Sequence, residues 1–151
     1  MNDPDIAQAV QQAAADEEFL AELRRILDAA AAAAAEQAFA CRACGRCCRF
    51  EEFGHKLYVT PGELALLQSV PITGEPAVGR CPHQVDGKCM ARNERALGCR
   101  LFFCDPAAEQ WFQGTYELFH ERIKRLHRDR ALPYAYVEMT FFLVDTRRRC
   151  P

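Results

Sequence analysis

Residues 41–48 read "CRACGRCC", which places four of the chain's nine cysteines within eight positions. Three chemistries call for cysteine at that density: a disulfide knot, a redox catalyst or a thiolate cage around metal. The redox compartment discriminates among them. The amino terminus, "MNDPDIAQAV", is acidic and lacks the basic stretch and apolar run of a secretory signal. The expected location is therefore the cytoplasm, where stable disulfides are rare and clustered thiols serve as metal ligands or catalysts. Metal binding is the reading adopted, with disulfides and inert buried thiols as the alternatives.

Working outward, the candidate ligands are Cys41, Cys44, Cys47 and Cys48, then Cys81, Cys89, Cys99 and Cys104, with Cys150 left over near the end. Eight thiolates fill two four-sulfur sites, or one iron–sulfur cluster plus a structural zinc. Successive side chains of an extended segment point to opposite sides, so Cys47 and Cys48 can serve two different centres. The spacing Cys41-x2-Cys44-x2-Cys47 matches the first three positions of the bacterial ferredoxin run, and Cys81-Pro82 echoes the Cys-Pro that closes it. Here, however, Cys48 follows at once and the Cys-Pro lies far downstream. Paired C-x-x-C knuckles are also the zinc-ribbon pattern, which only the first cluster offers. Iron–sulfur is favoured and zinc stays open. Arg42, Arg46, Arg49, Arg80 and Arg100 are interleaved with the cysteines and would offset thiolate charge at either metal.

Upstream, Ile6, Val10, Ala13, Leu20, Leu23, Leu27, Ala30 and Ala34 recur at three- and four-residue steps. They predict one long amphipathic helix from Asp5 to about Phe39. This alanine-rich arm, residues 1–40, precedes a cysteine-cluster domain of residues 41–151. Its apolar stripe either packs on that domain or pairs in a homodimer. Downstream, "HKLYVT" reads as a short strand. "TPGELALLQS" opens a helix with Thr60 as N-cap, Pro61 first and Glu63 closing a capping box. Residues 70–80 form a loop, and Asp86-Gly87 turns a hairpin that brings Cys81 towards Cys89. A helical turn is expected in "ARNERAL", a helix from Asp105-Pro106 to about Asp129, and a strand in "YAYVEMTFFLV". The fold class is a small, single-domain α+β protein, mostly helical. A loop-rich metal centre sits between the N-terminal helix and a C-terminal helix with its strand.

Charge and composition exclude several functions. With 19 basic and 21 acidic residues the net charge is −2, so no overall field draws nucleic acid or an anionic membrane. "HERIKRLHRDR" and "TRRRC" read as solvated charge. Neither the tract Ala29–Ala35 nor "MTFFLVD" approaches the ~20 apolar residues of a membrane span. His83, two residues after Cys81, is a candidate ligand or a donor to a thiolate. His120 and His127 read as packing or surface residues. No nucleophile–base pair marks an autonomous active site, and the radical-enzyme cysteine spacing of three then two is absent.

Taken together, "CRACGRCC", "YVTPGEL", "CPHQVDGKC" and "CRLFFC" resemble the YkgJ-type cysteine-cluster family, a CxxCxxCC zinc- or iron-chelating domain. The resemblance covers about residues 41–104 and supplies counterparts for all eight cysteines. It implies metal or 4Fe–4S cluster binding through them. A similar box occurs in flagellin lysine N-methylases, where it accompanies an iron–sulfur centre. This chain has no glycine-rich nucleotide loop, and Phe103 stands where the family usually has proline. The resemblance supplies no defined reaction, and the function expected from the whole reading is an iron–sulfur protein that transfers electrons or supports a partner enzyme. The alternative is a zinc-stapled structural or protein-interaction module.

Overall fold

The computed structural model describes residues 3–39, 46–49, 54, 56–74 and 79–148. Its first departure from the sequence reading is at Asp16. Two helices, α1 (Asp3–Ala15) and α2 (Glu17–Ala35), replace the single one expected from Asp5 to Phe39. Asp16 has extended backbone, φ −101° and ψ 92°, and its carboxylate accepts the Phe19 N–H at 3.0 Å. That satisfies one of the amides a helix start leaves unpaired. Glu17 and Glu18 add favourable charge to the first turn. Arg130 holds the break from outside, donating to both Asp16 carboxylate oxygens at 2.7 and 2.8 Å and to Glu18 at 2.9 Å.

These contacts make Asp16 an acid-sensitive point. The Phe19 amide first, and then Arg130, hold its carboxyl below the ordinary value. A lowered carboxyl stabilises the fold above its unfolded pKa of about 3.9, and that contribution is lost as pH falls through the lowered value. Asp16→Asn keeps a cap acceptor and removes the titration. Its melting temperature is expected to fall less steeply than the parent's below about pH 4. Parallel acid profiles for the two proteins would contradict this.

The core is built on one face of α2, where Phe19, Leu23, Leu27 and Ala30 are fully buried. Against it lie α3 (Pro61–Gln68), α4 (Leu97–Leu101) and α5 (Glu109–Asp129), while α1 packs on α3. Gly62 permits the approach of α3, since a Cβ there would come within 2.7 Å of the Phe19 ring. The apolar stripe of α1 and α2 is thus covered within the chain. α5 contributes Phe119, Ile123 and Leu126, entered through Asp105 and a 3-10 turn (Pro106–Ala108), as expected. His127 is buried, donating from Nδ1 to the Pro133 carbonyl at 3.0 Å, and His120 shares a hydrogen bond with the Tyr134 hydroxyl at 2.8 Å. Both therefore pack the segment after α5 onto the helix.

Other local signals act as read. Thr60 caps α3 with Pro61 at its start and Glu63 closing the box. β2 (Gln84–Val85) and β3 (Lys88–Cys89) pair around Asp86 and Gly87, whose positive φ values of 51° and 77° suit a tight hairpin. β1 (Tyr58–Val59) pairs antiparallel with β4 (Val137–Glu138). The second departure follows β4. "YAYVEMTFFLV" contributes only those two strand residues before turning into α6 (Met139–Arg148). The Glu138 carboxylate accepts the amides of Thr140 and Phe141 at 3.1 and 2.9 Å, capping the helix, and Met139 and Leu143, four apart, are both buried. The result is a mostly helical, single-domain α+β fold. No described helix is long and apolar enough to cross a membrane.

Candidate metal centre

Between α2 and α5 the chain is short in regular structure, and its cysteines lie there. Cys47 and Cys48 belong to a 3-10 turn (Arg46–Cys48), Cys81 precedes the hairpin, Cys89 ends β3 and Cys99 is on α4. The Cys81 N–H donates to the Cys48 carbonyl at 2.8 Å, joining the end of "CRACGRCC" to the Cys-Pro segment. The hairpin continues this frame. Gln84 donates to the Cys81 carbonyl at 3.1 Å and is the cross-strand partner of Cys89.

Five thiols therefore share one neighbourhood and act on one another electrostatically: Cys47, Cys48, Cys81, Cys89 and Cys99. None of the five is in a disulfide. The Cys48 thiol donates to the Cys47 sulfur, the main reason Cys47 drops to about 6, with Arg95 contributing. Cys48 is correspondingly pushed up by that bond, by burial and by Cys47, Cys81 and Cys99. Burial is the first cause of the rise at Cys81, to about 11, and at Cys99, where Cys81 and Cys89 add to it. The backbone amides of His83 and Gln84 oppose the rise at Cys81 by donating towards its sulfur. Buried soft donors in this state need a cation to be deprotonated together.

The other candidates are placed differently. Cys104 is exposed on the turn after α4, and Cys41, Cys44 and Cys150 lie outside the described residues. Among the described residues, no group of three or more His, Cys, Asp or Glu side chains is arranged to hold a metal ion. His83 is only 1% exposed, and neither ring nitrogen has a hydrogen-bond partner. Burial depresses its pKa, and the Leu67 carbonyl, which would favour protonation, stays outside bonding geometry. The His83 ring is thus buried towards the Leu67 carbonyl, while its backbone amide is the part that faces Cys81.

The arginines divide the roles in a way the spacing does not reveal. Arg100 is turned from the thiols, donating to Asp28 at 3.1 Å and to the Asn93 and Arg95 carbonyls. Arg95 takes the expected charge-offsetting place. Its Nη1 donates to the Cys99 carbonyl at 3.3 Å, and its charge favours the thiolate at both Cys47 and Cys99. The signal available for it was its position four residues before Cys99, at the entrance of a helix. Phe103 packs with Phe39 and Trp111, ring centroids 5.4 and 5.8 Å away, and forms an aromatic wall next to Cys104. No family model, curated protein or solved structure matches the chain.

Proposed function

We propose that this chain is a metal-binding cysteine-cluster protein. Cys41, Cys44, Cys47, Cys48, Cys81, Cys89, Cys99 and Cys104 are its ligand set, four of them for an iron–sulfur cluster used for electron transfer or for support of a partner enzyme and the rest for a second centre. The observation that carries the reading is the convergence of five thiols from four separate segments. The ferredoxin-like spacing and the resemblance to the YkgJ-type family support iron–sulfur over zinc. A bound cluster supplies one-electron chemistry. The chain's part is to shield the thiolates by burial, to donate the His83 and Gln84 amides towards Cys81, and to balance charge with Arg95.

The test is elemental analysis with a visible spectrum on protein purified without oxygen. Iron with acid-labile sulfide, and an absorption that dithionite bleaches reversibly, is the expected result. Stoichiometric zinc in a colourless sample would overturn the electron-transfer role and leave a structural staple. Protein free of both metals would overturn the metal-binding reading.

A further inference from the structure

On the far side of Arg95 from the cysteines lies a cleft of about 430 Å³ between α2 and the 92–100 segment. Among the described residues its walls carry no apolar side chain. Arg24 and Asp28 line it from α2 and Arg92, Glu94, Arg95 and Arg100 from the other side, four guanidinium groups with two carboxylates, a surplus of two positive charges among the lining residues. Both carboxylates are already engaged, Glu94 with Arg24 at 3.2 Å and Asp28 with Arg100 at 3.1 Å.

Arg100 makes the imbalance costly. Its side chain is 5% exposed, whereas that of Asp28, the carboxylate it donates to, is 74% exposed and so strongly solvated. The backbone takes up two further Arg100 donors, at the Arg95 and Asn93 carbonyls, which aims the guanidinium. Arg95 stands close enough to repel it. Arg92 is exposed at the rim, and Arg95 spends its Nε on the Arg92 carbonyl, which holds both arginines on the same short turn.

We propose that this cleft binds a phosphate dianion, free or as the head of a small phosphomonoester. Two surplus charges match a dianion, and several guanidinium forks from different directions suit a tetrahedral group of oxygens better than one planar carboxylate. The cleft shares Arg95 with the thiol cluster, but no described cysteine lines it.

Calorimetry with inorganic phosphate and with glycerol 3-phosphate, at ionic strength held constant with sodium chloride, tests this on the full chain. Saturable binding at about 1 mM or tighter is expected for at least one of them. Equal affinities would show that the phosphate group alone is read, and preference for the ester would show that the rest of the cleft contributes. Arg92→Gln, at an exposed position, is expected to weaken binding about tenfold, and Glu94→Gln, which raises the surplus charge, to tighten it. Circular dichroism confirms that both variants are folded. Failure of both ligands to saturate, or binding indifferent to both substitutions, would overturn the proposal.

Discussion

Cys81→Ser is expected to lose most of its bound metal and to melt well below the parent protein. Cys81 is 7% exposed, its N–H is tied to the Cys48 carbonyl, and its sulfur faces the amides of His83 and Gln84. Serine fits the same space and accepts from the same amides, but its hydroxyl is a poor ligand for a soft metal. The substitution therefore removes coordination while leaving packing nearly intact. Structural metals contribute apparent binding energies of ~10–16 kcal/mol, comparable with the ~5–15 kcal/mol stability of a whole domain. Even ~3 kcal/mol lost would lower the melting temperature by roughly 6–12 °C in a chain of this size. Metal content and thermal melts measured on parent and variant, with and without chelator, separate the two effects: the difference in melting should vanish once both are metal-free. Full metal content with unchanged melting would remove Cys81 from the ligand set. Cys150→Ser, outside the eight, is expected to leave both quantities unchanged.

The second large effect is expected at Glu63, a buried carboxylate that pins two helix starts together. Its Oε1 accepts the Leu97 N–H at 2.8 Å, and its Oε2 accepts the Thr60 N–H at 2.8 Å and the Thr60 hydroxyl at 2.9 Å. Glu63 is 1% exposed, so no water replaces a lost partner cheaply. Burial pushes its pKa up, opposed by these three bonds and by Arg100. Glu63→Gln keeps one acceptor oxygen and sets an NH2 group against existing donors. Each buried donor left unpaired costs about 1–3 kcal/mol, so Gln is expected to destabilise by about 2–4 kcal/mol and Ala by more. Urea denaturation measures this, and an alanine variant within ~0.5 kcal/mol of the parent would refute it. The bond to Leu97 sets the start of α4, which carries Cys99, so metal affinity is expected to fall together with stability.

What was legible in the sequence has a common physical character. Thr60, Pro61 and Glu63 specify a helix start within four residues. Asp86-Gly87 adopts the positive φ values a tight hairpin requires, and Asp105-Pro106 opens the way into α5. In each case the interaction that matters spans a turn or less of chain. The break at Asp16 also rests on a local cap, the Phe19 N–H three residues on, but an aspartate within an alanine-rich helical period reads as a surface residue, and the Arg130 that secures it comes from far along the chain. The start of α6 was hidden likewise. Tyr136 to Val144 carries the β-branched and aromatic residues of a strand, and the Glu138 cap with the burial of Met139 and Leu143 makes most of it helix.

The candidate centre divides along the same line. The sequence by itself determined the donor chemistry, nine cysteines with four in "CRACGRCC", and the helices that flank them. Only the tertiary structure decided which donors meet. A backbone bond from Cys81 to Cys48 and the hairpin that carries Cys89 bring five thiols together with Arg95, while Arg100 is drawn away to Asp28. Residue type states which bonds a side chain is able to form. The partner it obtains depends on long-range packing, because a thiol or guanidinium reaches only a few ångströms and the chain must first bring the other group there.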